Sequence, residues 1–267
     1  MADQVEIVVI SLRESSQRRI KSAEQLDSTK LSWSFFDAVD GRNLPYPAEY
    51  DRQARLKYSG VDMVPGQIGC FLSHRECWKK CVQAQRLMLV LEDDFHFQQD
   101  LSEVIPIAMN TMADWDILRL QGVSVKNKYK VIEDFGQNQL VKHYYDAFGT
   151  TAYFVKPEIA EILLGKSNRF HAHIDDFFSH DWIHRLNILS ILPYPVKPSG
   201  DPTTIGSCDD DERNRLCWQE KWRTKLVKLP RSVEKRLYRT RAFLSLYFTP
   251  TKNCLSKETH HRSEVTA

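Results

Sequence analysis

The sequence predicts an α/β protein built on a mostly parallel central sheet. Three observations carry that expectation. Apolar runs of strand length alternate with helical stretches along the chain, the pattern of a sheet with helical crossovers. The run Leu87-Met88-Leu89-Val90-Leu91 is uninterrupted, which suits a central strand covered on both faces. It ends in Glu92-Asp93-Asp94, at the carboxyl end of a strand, where open α/β sheets bind their ligands.

Taken in order, Val5–Ile10 is β-branched and reads as a buried strand that turns at Ser11-Leu12-Arg13. Gln17–Leu26 is helical, with Arg18 and Arg19 in its first turn. Cations are out of place at a helix N-terminus unless an anion sits there or the face is simply solvated. Leu31–Phe36 is a second strand that runs into the turn Asp37-Ala38-Val39-Asp40-Gly41-Arg42. Residues 43–65, with three prolines, predict a long loop holding one short helix. Cys70–Gln85 is helical, with Cys70, Cys77 and Cys81 along one face and Trp78 beside them. Beyond the acidic triplet, Trp115–Leu120 and Ala147–Val155 read as strands and Pro157–Leu164 as a helix. Asp175 falls at an N-cap position before a helix expected to run to about Leu186, and Ile188–Val196 is a late strand.

Composition narrows the class. With 42% apolar and 27% charged residues, the 267-residue chain is an ordinary globular sequence that needs no metal or disulfide staple. No apolar run approaches the ~20 residues of a membrane span. Asp3 and Glu6 interrupt the N-terminus against a signal peptide, so the expectation is a soluble, cytoplasmic protein. The spacing of Cys70, Cys77 and Cys81, and of Cys208, Cys217 and Cys254, fits no common zinc pattern and predicts structural thiols. The fingerprint G-x-G-x-x-G, the phosphate loop G-x-x-x-x-G-K-[ST] and the elbow G-x-S-x-G are all absent, which removes support for dinucleotide, P-loop and serine-hydrolase chemistry.

Charge is unevenly placed. Residues 213–241 hold eleven Lys and Arg against Glu220 and Glu234, a net +9, while the chain as a whole is only +2. Basic residues interleaved with Leu226, Leu229, Leu237 and Phe243 predict a segment over 213–248 that lies on an anionic membrane surface; a helix pair packed on its own domain is the alternative. No nucleic-acid module accompanies the charge, so nucleic acid is not expected as a partner. The domain boundary is placed between a catalytic unit, 1–211, and this basic segment, 212–267.

Three adjoining carboxylates need compensation, either from water or from a hard divalent cation such as Mn²⁺ or Mg²⁺, which takes oxygen ligands. The residues alone leave open which of Glu92, Asp93 and Asp94 would hold it.

The segments Gly66-Gln67-Ile68-Gly69-Cys70-Phe71-Leu72-Ser73-His74 and Leu91-Glu92-Asp93-Asp94 resemble glycosyltransferase family 25. So do Ile10-Ser11-Leu12 with Arg18-Arg19, Asp37–Gly41, Trp115–Leu118, Gly149-Thr150 with Tyr153, and Ile174-Asp175. Gln67 stands where the family carries Glu, and Thr204-Ile205 is a loose form of a Ser-containing motif. The resemblance implies a GT-A fold, a UDP-sugar donor (UDP-galactose or UDP-glucose), a lipid-linked saccharide acceptor such as a lipooligosaccharide, and inversion at the anomeric carbon. It places the donor against Ser11, Leu12, Arg13, Arg18, Arg19, Ala38, Val39, Asp40, Ser73, His74, Glu92, Asp93, Gly149 and Thr150. It makes Asp94 and Glu92 the ligands of Mn²⁺ or Mg²⁺ and Asp175 the base, with Asp176 as the substitute. A metal-dependent phosphoester hydrolase, or a membrane or nucleic-acid binder with a vestigial site, are the competing readings. The expected location is the inner face of a membrane, held peripherally.

Overall fold

A computed structural model describes residues 5–124, 128–145, 147–201 and 218–248. Strand β1 (Val5–Ser11) leads into helix α1 (Ser16–Asp27), and β2 (Trp33–Asp37) into a 3-10 turn at Gly41–Asn43. Helices α2 (Arg52–Ser59) and α3 (Pro65–Ala84) precede β3 (Leu87–Glu92), β4 (Phe95–Phe97) and α4 (Leu101–Asn110). Six strands' worth of chain then alternates short pairings: β5 (Ile117–Arg119), β6 (Val123–Ser124), β7 (Tyr129–Asp134), β8 (Gln139–His143), β9 (Ala147–Phe148) and β10 (Ala152–Val155). Helices α5 (Pro157–Lys166), α6 (Ile174–Ser179) and α7 (Asp181–His184), strands β11 (Ile188–Leu192) and β12 (Val196–Pro198), and the long helix α8 (Trp218–Phe248) follow.

The central sheet has eight strands in the order β2-β1-β3-β10-β5-β11-β8-β7. Following the pairings across it, only β10 and β8 run against the other strands, so the expected mostly parallel α/β sheet is present. From β1 the chain pairs first with β2 on one side and then with β3 on the other. That reversal opens a crevice at the carboxyl ends of β1 and β3, the point where such sheets bind ligands. One open sheet with an acidic turn at this edge is the GT-A-type organisation that the resemblance implied.

The alternation of β1 sends its residues to two cores. Val5, Ile7 and Val9 meet Leu89, Leu91 and the apolar face of α4. Val8 and Ile10 meet Met88, Val90 and the helices α3 and α5 on the opposite face, through Phe71, Trp78, Cys81 and Leu163. Leu89, Val90 and Leu91 are fully buried, each worth about 1.5–3 kcal/mol of transfer free energy. Strand β3 is therefore held rigidly from both sides, and so is the acidic triplet it carries.

Several local expectations change. Helix α3 begins at Pro65 rather than Cys70: proline suits the first helical position, and Gln67 Oε1 accepts from the Val64 N–H at 3.0 Å. A neutral amide does this work, so Gln67 needs no charge. The helix expected to run to Leu186 is two short ones broken at His180, and Asp175 is the second residue of α6, preceded by His173, rather than its N-cap. The C-terminal helix pair held as the alternative is instead one helix over the described residues, with Pro230 inside it. Cys70, Cys77 and Cys81 are free thiols, the latter two buried, as structural cysteines should be. Cys208, Cys217, Cys254, Thr204, Ile205 and the proposed domain boundary lie outside the described residues.

Candidate active site

A cleft of about 700 Å³ lies at the carboxyl ends of β1 and β3. Ser11, Leu12 and Arg18 form one side, Ala38, Val39 and Asp40 a lip, Ser73 and His74 the floor, and Glu92, Asp93 and Asp94 the far wall. The sequence motifs that lie far apart in the chain thus line one space.

Glycine makes the lip possible. A Cβ on Gly41 would stand 1.7 Å from the Pro65 carbonyl oxygen, and one on Gly69 would stand 2.5 Å from the Val39 carbonyl oxygen. The turn after β2 and the first turns of α3 therefore touch backbone to backbone. Ser73 Oγ completes the joint, accepting from the Val39 N–H at 2.9 Å and donating to the Gly69 carbonyl at 2.8 Å. This is what Gly69 and Ser73, one turn apart on α3, accomplish.

The three carboxylates have three different environments. Asp93 accepts from Ser11 Oγ at 2.6 Å and from Arg18 Nη1 at 2.8 Å, and both members of the Arg18–Asp93 pair are nearly buried. Glu92 accepts from His74 Nε2 at 3.1 Å and from Thr150 Oγ at 2.7 Å. Burial pushes the Glu92 carboxyl up, but the bonds from His74 and Thr150 and the Arg18 charge reverse that and hold it below its ordinary range. Asp94 Oδ1 is buried with no hydrogen-bond partner. Burial, with Glu92 beside it, pushes Asp94 up to about 6.

Behind Glu92 runs a buried relay. Trp78 Nε1 donates to the Tyr153 oxygen at 3.0 Å, and Tyr153 lies 2.9 Å from His74 Nδ1. An ionised Glu92 can only accept, so a His74 proton sits on Nε2, aimed at it, and Nδ1 takes the Tyr153 hydroxyl proton while the phenol oxygen accepts from the indole. The relay fixes the imidazole's tautomer and orientation.

Asp175 reaches the same centre from α6. Its Oδ1 lies 3.1 Å from Thr150 Oγ, and burial, then the nearby Glu92 charge, raises its pKa. Asp176, the next residue, points elsewhere and lines a separate cavity with α8. Gly149 adopts φ +122°, and the Gln121 side chain occupies the place of its missing Cβ. Gln121 Oε1 is itself buried without a hydrogen-bond partner.

Two predicted residues are drawn away from the cleft. Arg13 donates to Asp37 at 2.6 Å, and Arg19 donates to Asp37 and to the Ser11 carbonyl at 3.0 Å, tying β1 to β2. The cations in the first turn of α1 pair with Asp37 and Asp93. Sequence reading missed the relay through Trp78 and Tyr153, and missed Gln121. Only the unusual Tyr within the apolar strand Ala152–Val155 hinted at the first.

A site for a divalent cation fits what is here. The orphaned, buried Asp94 oxygen lacks a partner that a hard cation would supply, and Glu92 sits two residues away at the strand end. Cys70, His74 and Glu92 also bring ligand atoms within 4.8 Å of one another, but two of these already bond each other, and burial beside Glu92 and Asp175 keeps the Cys70 thiol protonated.

Against known proteins, the family described as glycosyltransferase family 25 (LPS biosynthesis protein) matches residues 4–178, about two thirds of the chain. The chain belongs to glycosyltransferase family 25. A family member from Anopheles gambiae is 32% identical over 237 residues, covering 78% of this chain and 39% of its own length. "Probable inactive glycosyltransferase 25 family member 3" of Rattus norvegicus is 26% identical over 254 residues, covering 80% of this chain and 43% of its own. Procollagen galactosyltransferase 2 of Homo sapiens is 26% identical over 180 residues, covering 60% of this chain and 27% of its own. The chain thus spans less than half the length of these family 25 relatives. The match ends within α6, so α8 lies beyond the family 25 segment.

Proposed function

We propose that this family 25 chain is an inverting glycosyltransferase that moves a hexose, galactose foremost, from a UDP-sugar to a saccharide acceptor of the lipooligosaccharide kind. One observation carries the reading: at one switch-point cleft the hydrogen-bonded Glu92 stands beside a partnerless buried carboxylate oxygen on Asp94, and through Thr150 it adjoins a raised carboxyl on Asp175. Asp94 and Glu92 would hold Mn²⁺ or Mg²⁺, whose charge would stabilise the departing diphosphate. The lip at Ala38–Asp40 would meet the uracil, and the Ser11–Arg18 side the ribose through Asp93. Asp175 takes the acceptor hydroxyl's proton, a role its raised pKa suits. A phosphoester hydrolase working with two metal ions would require a second cluster of carboxylate or imidazole ligands; among the described residues the ligand groups gather only around Glu92.

The test is a panel of UDP-sugars with Mn²⁺. Release of free sugar and UDP from one of them is expected, with inversion read by proton NMR of the product. No turnover of any donor, as the names of some relatives would suggest, overturns the reading; so does cleavage of a simple phosphoester at the same site.

We further propose that α8 rests on an anionic membrane surface. No described helix is long and apolar enough to cross a membrane. Lys228, Arg231, Lys235 and Arg239 recur at helical spacing and turn inward, over the rings of Tyr58 and Trp182. Arg239 also pairs with Asp181 at 2.8 Å. Trp222, Leu226, Leu229, Val233 and Leu237 lie roughly 155° away around the helix and are exposed, Leu237 by 67%. A surface helix normally does the reverse. The exposed apolar stripe is flanked by Arg223, Lys225, Arg236 and Arg241, also exposed, which complement acidic headgroups. Co-sedimentation with phosphatidylglycerol vesicles should be salt-sensitive and lost on Leu229→Ser with Leu237→Ser. Undiminished binding by that variant, or dimerisation through the stripe in place of vesicle binding, overturns the assignment.

A further inference from the structure

A smaller cavity, about 350 Å³, lies between strands β5, β8 and β11 on one side and helices α6, α7 and α8 on the other. Its charged groups are occupied with one another and with the frame. Arg239 holds Asp181 at 2.8 Å and the Ser179 carbonyl at 2.7 Å. Lys142 donates to Asn187 Oδ1 at 3.0 Å and to the Ile188 carbonyl at 3.2 Å. Arg119 lies over the Phe178 ring, 5.7 Å from its centroid. What is left over in the lining is neutral. Ser179 Oγ and His143 Nδ1 are buried and have no hydrogen-bond partner among the described residues. Burial lowers the His143 pKa to about 4, so the ring carries no charge near neutral pH. Its other nitrogen, Nε2, meets the Tyr194 hydroxyl at 3.2 Å, which steadies the imidazole. Folded chains seldom leave buried polar atoms unpaired, and a pair of them on one cavity wall calls for an explanation.

The cavity's position supplies one. Phe178 and Ser179 stand three and four residues after Asp175 on α6, one helical turn along the same face. Arg119, on the strand side, lies close enough for its charge to act on the Asp175 carboxyl. Asp175 in turn reaches Thr150, and Thr150 reaches Glu92. Asp176 faces away, into the cavity with α2 and α8, and Ser179 lines both spaces. A molecule lodged in the smaller cavity therefore lies beside the candidate base, across Thr150 from Glu92.

Resting on the reading of the β1–β3 crevice as the donor site, we infer that this smaller cavity is the acceptor subsite and that it takes an uncharged sugar residue. Each sugar hydroxyl both donates and accepts, so it satisfies Ser179 Oγ and serves either tautomer of His143. An anion only accepts, and the cations around it already have partners in Asp181, Asn187, main-chain carbonyls and the Phe178 ring. Tyr145, 36% exposed, adds an aromatic ring to the wall for the C–H face of a pyranose. The volume is at the small end of ligand cavities, which suits a single sugar residue and not a longer chain.

The experiment uses the full chain without nucleotide and titrates methyl β-galactoside, methyl β-glucoside and galactose 6-phosphate separately, read by saturation-transfer NMR. One of the uncharged glycosides should bind, indifferently to salt and more tightly than the sugar phosphate. Ser179→Ala and His143→Phe should each weaken it about three- to tenfold, the worth of one neutral hydrogen bond. UDP with Mn²⁺, read by calorimetry, should bind both variants as it binds the parent chain. Ala147→Leu, which puts bulk into the cavity wall, serves in place of His143→Phe if that variant melts early, and should weaken the glycoside too. Tighter, salt-sensitive binding of galactose 6-phosphate, or no response to Ser179→Ala, overturns the inference. A loss with Ser179→Ala but with neither His143→Phe nor Ala147→Leu puts the sugar in the cavity of Asp176 and overturns it as well. If UDP binds and neither glycoside does, the acceptor assignment falls while the donor reading stands. If a glycoside binds with the expected pattern and UDP does not, the donor reading falls while the cavity stands as a sugar site.

Discussion

Asp175 Oδ1 lies 3.1 Å from a Thr150 hydroxyl whose single proton is already engaged by Glu92 at 2.7 Å. One proton cannot serve both carboxylates at once. Hydrogen bonds hold Glu92 low, whereas burial, then the Glu92 charge, raises Asp175. A carboxylate raised in this way is the stronger base of the two, suited to take the proton of an incoming hydroxyl. Asp175→Asn should cut turnover ~10²–10⁴-fold with UDP affinity nearly unchanged. If the substitution spares turnover and only lowers the melting temperature, Asp176 inherits the role.

Asp94 gives a separate prediction. Asp94→Ala removes a buried oxygen that has no partner, so the fold should hold and the melting temperature should barely move. Mn²⁺ binding, read by electron paramagnetic resonance without any donor, should disappear together with transfer. Retained Mn²⁺ binding would locate the cation elsewhere.

The Arg18–Asp93 pair is nearly dry, at 14% and 11% exposure. Arg18→Met leaves Asp93 with Ser11 alone and should cost about 3 kcal/mol of stability, as when one partner of a buried pair is removed. Asp93→Asn with Arg18→Met should recover part of that. A single variant as stable as the parent, by urea unfolding, contradicts the pair's importance.

Gly69→Ala tests the backbone joint beneath the lip. The added methyl meets main-chain atoms of Val39 and Gly41 that cannot rotate aside, so destabilisation of about 3 kcal/mol or more is expected. Gly165→Ala, at a helical glycine with nothing near its Cβ position, is the control and should be neutral or better.

Acid should loosen the fold through His184. Its Nδ1 accepts from the Leu186 N–H at 3.1 Å and its Nε2 donates to the Phe178 carbonyl at 3.2 Å, so the neutral ring is fully used. Burial lowers its pKa to about 4. Unfolded, it takes a proton near pH 6.5. Between those values the unfolded state binds more protons, so stability present above pH 6.5 is lost as pH falls toward 4, on the order of 3 kcal/mol from this residue. His184→Asn should flatten the fall in melting temperature between pH 7 and about 4.5. An unchanged slope would acquit His184.

The donor side was legible in the sequence because its residues belong to strand ends and turns, where local chemistry speaks: the β3 run and its carboxylates, the glycines of Gly66–Gly69, Ser73 and His74. What could not be read there depends on long-range packing. Nothing local tells that Asp37 and Asp93 answer Arg19 and Arg18, or that the Tyr153 hydroxyl ends up between Trp78 and His74. The basic C-terminal stretch was visible as charge, but its inward-facing lysines and arginines contradict amphipathic habit, and the cavity they line needs four helices at once.

The joint between the turn after β2 and the start of α3 separates two jobs usually entangled in one wall. Main chain meeting main chain at Gly41 and Gly69 decides where the lip stands, while the side chains of Ala38 and Val39 decide what it presents. Those two positions are accordingly a dial: exchanging them alters the surface offered to a bound molecule while its frame stays put. Selectivity in this cleft can drift, or be engineered, without reopening the question of how the protein folds.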